Sequence, residues 1–230
     1  MVPAGGGCDR SVDGRYRAAV TELRRKFHQQ LDEIDAKVIR LFALVTESVA
    51  AATDALLSGD TEAARELAEQ DQLVDLLEVD LEQVAERELL MQTPMAGDMR
   101  YLVSVLRVVP ELERSGDLAE HIAQRAAHGL ALRLTPTVRG MLEQMGTACV
   151  DLWRRAADAW VERDGEAAAH LDAADDHLDD LHDRLVAELG QADIALADAL
   201  QTTLVARFYE RLGDHAVHIS ERIRYLADGT

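Results

Sequence analysis

Glu113-Arg114-Ser115-Gly116-Asp117-Leu118-Ala119-Glu120-His121-Ile122 lies near the middle of the chain. It returns near the end as Glu210-Arg211-Leu212-Gly213-Asp214-His215-Ala216-Val217-His218-Ile219. Glu, Arg, Gly, Asp, Ala, His and Ile hold the same places in both copies. On a helix, Glu113, Asp117 and His121 are spaced i, i+4, i+8 and stack on one stripe, as do Glu210, Asp214 and His218. Like charges at i, i+4 repel by roughly 0.2–0.5 kcal/mol, and a mid-helix glycine costs about 1 kcal/mol against alanine. A chain that accepts both costs twice, in the same order, points to a cation facing a carboxylate–imidazole stripe.

The duplication extends outward from these blocks. Asp60, Glu62, Ala63, Ala64, Leu67, Asp71, Asp75 and Leu77 match Asp164, Glu166, Ala167, Ala168, Leu171, Asp175, Asp179 and Leu181 at a constant offset of 104, whereas the Glu-Arg-x-Gly-Asp blocks are offset by 97. The second copy is therefore shorter, and the difference falls at the joint around residues 91–100. Internal repetition of this kind constrains a fold more than any single motif.

Helical periodicity fills both copies. Phe27, Leu31, Ile34, Val38, Leu41, Val45, Val49, Ala52 and Leu56 step by threes and fours through one long helix. Ser58-Gly59-Asp60 ends it, with Asp60 as the next N-cap. The second helix runs to about Gln92, and Thr93-Pro94 reads as an N-cap and first-turn proline opening a third, to about His128. Thr135-Pro136 opens a fourth to about Glu162. Asp164 caps a fifth ending near Gly190, and a sixth carries Leu200, Leu204, Phe208, Leu212, Ala216, Ile219, Ile223 and Leu226. Pro110 lies inside the third helix and should kink it. The expected fold is all-α: two tandem, pseudo-symmetric three-helix bundles of six long helices. Residues 1–25 form a disordered or partly helical extension, 26–131 the first unit and 132–230 the second.

Composition agrees. The 230 residues are 48% hydrophobic but only 4% aromatic, and Asp plus Glu outnumber Lys plus Arg by 43 to 24, a formal charge of −19. Phosphate backbones would be repelled, which excludes nucleic acid and favours cations or basic protein surfaces. Cys8 and Cys149 form no C-x-x-C pattern, so neither a disulfide framework nor a cysteine-type zinc site is expected, and a reducing, cytoplasmic setting fits. No uninterrupted apolar run approaches the roughly 18 residues of a membrane span, and no apolar segment follows the N-terminal arginines as in a secretory signal.

With 43 acidic residues, acidic i, i+4 pairs arise by chance roughly eight times, and one alone is ordinarily a solvated helix face. Arrangement carries the argument. Each unit has one such pair on its second helix (Asp71/Asp75 and Asp175/Asp179) and one on its third (Glu113/Asp117 and Glu210/Asp214), and short joints make those helices antiparallel neighbours. With a metal ion, four converging carboxylates are an oxygen-rich site for Mg²⁺, Mn²⁺ or iron, and imidazole from His121 or His218 would extend it to zinc. Gly116 and Gly213 would admit a close approach beside it. Arg114 and Arg211 point about 100° away and are expected to pair with acidic groups of an adjacent helix, while Asp98 and Arg100 cap or pair across the joint. No phosphate loop, nucleophile elbow or H-E-x-x-H is present. A carboxylate-bridged metal enzyme is weakened because Leu118 and His215 stand where E-x-x-H pairs would need an acid. A purely structural module with solvated acidic faces is the third reading.

Phe27-His28-Gln29-Gln30-Leu31, Asp71-x-x-x-Asp75, Gln92-Thr93-Pro94-Met95-Ala96-Gly97-Asp98-Met99-Arg100, the two Glu-Arg-x-Gly-Asp blocks and Glu221-Arg222-Ile223-Arg224-Tyr225-Leu226 together resemble the PhoU family of phosphate-specific transport regulators, in its actinobacterial form. The resemblance covers residues 26–228 in order. It implies two three-helix bundles that hold multinuclear clusters of divalent or trivalent metal, iron or zinc first, through E/D-x-x-x-D motifs. It also implies a regulator rather than an enzyme. Such a protein would restrain phosphate uptake and the phosphate-starvation response through the transporter's ATPase subunit and a sensor histidine kinase. A homodimer that meets the membrane only through these protein partners is expected. The long lead and Pro110 depart from the family pattern.

Overall fold

In the computed structural model, which describes residues 10–68, 72–92 and 94–229 and the side chains of 21–67, 73–92 and 94–229, the apolar stripe from Phe27 to Leu56 faces inward along α1 (Arg10–Ser58). Ile34, Val38, Leu41, Val45, Val49, Ala52 and Leu56 are all buried, and Leu31 packs at the margin. Each large aliphatic side chain so buried contributes roughly 1.5–3 kcal/mol. By length and composition this helix could cross a membrane, but 44% of its most apolar window is buried inside the bundle, as in the core helix of a folded domain.

Among the described residues six further helices follow: α2 (Thr61–Ala68), α3 (Gln72–Met91), α4 (Ala96–Ala127), α5 (Pro136–Glu162), α6 (Ala167–Leu189) and α7 (Leu196–Asp228). Among the described residues there is no strand, and a short 3₁₀ segment, Leu130–Arg133, joins the halves. The expected second helix is thus described as two pieces, α2 and α3. Asp60 caps α2 by accepting from the backbone of Glu62 and Ala63 at 3.2 and 3.0 Å. Thr135 caps α5 through Val138. Two start signals shift. The Asp164 side chain accepts from the Glu166 backbone at 2.9 Å, in a turn ahead of α6. Pro94 precedes α4 rather than opening it, and the backbone of Met95 donates to Asp98 at the start of that helix. Thr93 lies outside the described residues. α4 is continuous through Pro110.

α1, α4, α5 and α7 form a central layer in which α1 packs on α4 and α5, and α7 on α4 and α5. α3 lies against α4 on one flank and α6 against α5 and α7 on the other, so the two three-helix repeats share one apolar core. Phe42, Trp153 and Trp160 cluster where α1 meets α5, with ring centroids 6.0–6.4 Å from Phe42.

The stripe expected on the last helix is only half right. Leu212, Ala216, Ile219 and Ile223 are buried, but Leu200 and Leu204 are exposed, and Thr202, Val205, Ala206 and Tyr209 face the core instead. Successive steps of four residues advance 40° beyond a full turn, so a stripe extended by fours walks off the buried face.

Several polar ties among the described residues cross the boundary between repeats, Arg139 donating to the Leu57 carbonyl at 2.5 Å among them. Thr53 donates to Val49 at 2.7 Å, which leaves its oxygen to accept from the Tyr209 hydroxyl at 2.8 Å. Asp35 accepts from the Trp160 indole at 3.0 Å and pairs with Arg163 at 2.6 Å. Ser115 and His215 Nδ1 meet at 2.9 Å.

Gly146 fixes how closely α1 and α5 approach, because a Cβ there would lie 2.3 Å from Thr53 Cγ2. Overpacking costs about 1–3 kcal/mol, against the roughly 1 kcal/mol that alanine gains over glycine within a helix. Gly146→Ala should therefore lower stability in urea unfolding, and adding Thr53→Ser, which removes the methyl at 2.3 Å but keeps the oxygen at 2.9 Å, should restore part of the loss.

Candidate metal centre

α3 and α4 of the first half, and α6 and α7 of the second, bring the acidic stripes to two seams. Asp71 lies outside the described residues. In the first seam, Glu113 is pushed up to about 7, chiefly by burial and then by the negative fields of Asp117, Glu78 and Asp75. In the second, Asp175 rises to about 7 through burial and the fields of Asp179, Asp214 and Glu210. Burial also raises Asp179 and Glu210, each reinforced by Asp214. Desolvation and like charge both favour the protonated acid.

Gly213 allows the second seam to close. A Cβ on it would lie 2.0 Å from Asp175 Oδ1 and 3.0 Å from Leu178 Cδ2, so only glycine lets the carboxylate lie against α7. Asp175 Oδ1 and Glu210 Oε2 are both buried without a hydrogen-bond partner. Buried carboxylate oxygens left unpaired are costly, and hard cations with oxygen preference are the ligands that satisfy them. The donor set therefore suits a metal ion. Among the described residues no three His, Cys, Asp or Glu side chains are already gathered around a single point that would hold one. The acids share a seam but stand apart, as mutual repulsion requires, and side-chain rotation would have to bring them onto an ion.

The two seams differ in ways the duplicated blocks do not reveal. Glu78 adds a carboxylate to the first, and is itself raised by burial and by Glu82 and Asp75. Its counterpart at the 104 offset is His182, whose field works against the net rise of Asp179 and Glu210 in the second seam. Arg207 pairs with Glu210, whereas Pro110 occupies the matching place beside Glu113 and supplies no cation. Among the described residues, the opposing charge that acts on Glu113 is Arg114. The shared offset is the signal in the sequence that relates Glu78 to His182, and the Asp179-x-x-His182 spacing also marks the histidine.

The remaining candidates lie around these seams. His121 stacks on Phe208 of α7 with centroids 5.4 Å apart, and its Nδ1 is buried without a partner. His218 is exposed. Arg114 pairs with Glu111 on its own helix at 3.1 Å, not with a neighbouring one, because i, i+3 spacing brings that acid within reach. Arg211 makes no ion pair among the described residues and faces solvent. Asp98 binds the Met95 backbone and lies 3.8 Å from His28. Arg100 lies against Gly229 at the end of α7.

His215 had little claim as a ligand, and its structural role depends on the opposite half. Ser115 donates to the Glu111 carbonyl at 2.6 Å, so the hydrogen of the Ser115–His215 bond comes from Nδ1, leaving Nε2 3.8 Å from the Glu111 carboxylate. Its partners lie about a hundred residues upstream, beyond any local pattern.

The fold and its paired carboxylate seams define a duplicated helical bundle of the accessory-protein kind. Comparison with known proteins agrees. The PhoU domain matches residues 38–126 and 142–223. The chain is 33% identical over 210 residues to the phosphate-specific transport system accessory protein PhoU homolog 2 of Mycobacterium tuberculosis, covering 90% of this chain and 99% of that one. It is 32% identical to PhoU homolog 1 of Mycobacterium leprae, over 90% and 95% of the two chains. The crystal structure of PhoU from Pseudomonas aeruginosa superposes with a TM-score of 0.83 at 27% identity, covering 89% of this chain and all of that one. The chain belongs to the PhoU family. It is an accessory protein of the phosphate-specific transport system and not an enzyme.

Acids whose folded pKa lies above its unfolded value make folding more favourable at lower pH, because the native state binds more protons. Glu113 and Asp175, near 7 when folded against ordinary values of 4.5 and 3.8, should make the metal-free chain more stable as pH falls from above about 7 toward about 4.5. Thermal melts of chelator-treated protein should show the midpoint rising over that window, and Asp175→Asn should flatten the trend.

Proposed function

We propose that this protein is a metal-loaded negative regulator of phosphate uptake and of the phosphate-starvation response. It would act in the cytoplasm as an adaptor between the phosphate ABC transporter's ATPase subunit and a sensor histidine kinase. Support for its place in phosphate transport comes from the relatives, which are named accessory proteins of the phosphate-specific transport system. Support for the metal comes from one observation: opposed carboxylates on paired helices, with Asp175 Oδ1 and Glu210 Oε2 buried and unpaired beside a glycine that makes room for them.

Asp75, Glu78, Glu113 and Asp117, with Asp71, would hold metal in the first half. Asp175, Asp179, Glu210, Asp214 and His182 would hold it in the second, with His121 and His218 as further donors. Bound cations would convert mutual repulsion into attraction and lock α3 onto α4 and α6 onto α7. An all-carboxylate seam suits Mg²⁺, Mn²⁺ or iron, whereas the imidazole of His182 moves the second seam toward zinc or iron. A locked pair of seams gives the protein a fixed acidic surface for protein partners, and a homodimer would present two such surfaces.

Metal analysis of purified chain tests the first half of this reading. Gly213→Ala and Asp214→Asn should weaken metal binding in the second seam by at least the roughly tenfold to hundredfold typical of outer-shell changes, leaving the first seam loaded. Metal content unchanged by both substitutions would overturn the assignment. A pull-down from phosphate-replete cells should recover the transporter ATPase and sensor kinase, and a deletion that leaves phosphate repression of uptake intact would remove the regulatory reading.

A further inference from the structure

A pocket of about 410 Å³ opens where the halves are joined, lined by Gln124, Arg125 and His128 at the end of α4, Leu130 and Arg133 in the 3₁₀ connection, and Gln201 on α7. Two guanidinium groups, an imidazole and two amides converge there, and none of its lining residues is acidic, in a chain of net charge −19. Arg133 is balanced, since its Nε donates to Asp198 at 2.8 Å and its Nη1 to the carbonyls of His128 and Gly129.

Arg125 is not balanced. It donates to the His121 carbonyl at 2.9 Å and lies over the Phe208 ring at 4.9 Å. Its Nε is buried without a partner, and it forms no ion pair among the described residues. Burial alone lowers its pKa, with no carboxylate opposing the shift. Holding a guanidinium half-buried beside an aromatic ring without a counter-charge is costly, and an anion in the pocket would remove that cost through charge-assisted hydrogen bonds.

We propose that this pocket is a binding site for a small tetrahedral oxyanion of the phosphate class. Such an anion has enough acceptor oxygens to engage Arg125, Arg133 and Gln201 together, which chloride does not, while His128 gives its Nδ1 hydrogen to the Gln124 carbonyl. It would tie the connecting segment to α7 and so brace one half against the other. The site is separate from the carboxylate seams and does not depend on metal.

The test is calorimetric titration of the full chain with inorganic phosphate, and separately with sulfate, at constant ionic strength. A chelator is present so that anion held by a bound cation does not contribute. Saturable phosphate binding is expected, weakened about tenfold or more in Arg125→Gln by loss of a charge-assisted bond, and unchanged in Arg154→Gln, a distant exposed arginine. Because Arg125 also packs on Phe208, Gln201→Glu provides the second variant. It places a carboxylate at an exposed position in the pocket mouth and should abolish binding without disturbing the fold. An equal response to sulfate would assign the site to tetrahedral oxyanions in general, and a response to phosphate alone would narrow it. No saturable response to either anion, or binding that survives Gln201→Glu, overturns the proposal.

Discussion

The acidic faces of α3 and α6 are pressed against those of α4 and α7 because their opposite faces have no other place to be buried. Val74, Leu81 and Ala85 on α3, and Leu171, Leu178, Leu181 and Leu185 on α6, all enter the shared core. That burial outweighs the repulsion between carboxylates that follows from it, since each large aliphatic contributes more than a surface charge pair costs. The repulsion persists in the folded chain as raised carboxylate pKa values. A core that compels like charges together leaves them in want of a counter-charge.

Duplication has left the halves alike in backbone and different in chemistry. Gly59 and Arg163, related by the 104 offset, both end a helix in the left-handed region, at φ 73° and 56°. Glycine takes that conformation freely, whereas any other L-residue does so at a cost of about 1–2 kcal/mol. Arg163 is held there by its ion pair with Asp35 and by stacking on Trp160 and Tyr101 at 4.7 and 5.3 Å. A strained cap in the second half has become an anchor on the first. The substitutions Pro110 for Arg207 and Glu78 for His182 likewise give two seams of unequal charge.

Much of the architecture was legible in the residues. Steps of three and four placed the buried face of α1 from Phe27 to Leu56, and the caps at Asp60 and Thr135 lie where their chemistry puts them. The extension of the last stripe through Leu200 and Leu204 went astray, because periodicity fixes angular spacing on a helix but not the phase of a face that neighbours select. Arg114 was expected to reach across to another helix and instead found Glu111 on its own.

From the chain alone came the helices, the twofold repetition and the carboxylate pairs, all of which rest on spacings of a few residues or on matching segments. The assembly of α3 with α4 and α6 with α7 set which oxygens are buried and unpaired, and made Gly213 a gap that Asp175 fills. It also brought His215 to Ser115, and Arg133 and Gln201 to the pocket beside Arg125. Those contacts join residues up to a hundred positions apart, and their electrostatics depend on desolvation, which exists only once the helices have packed.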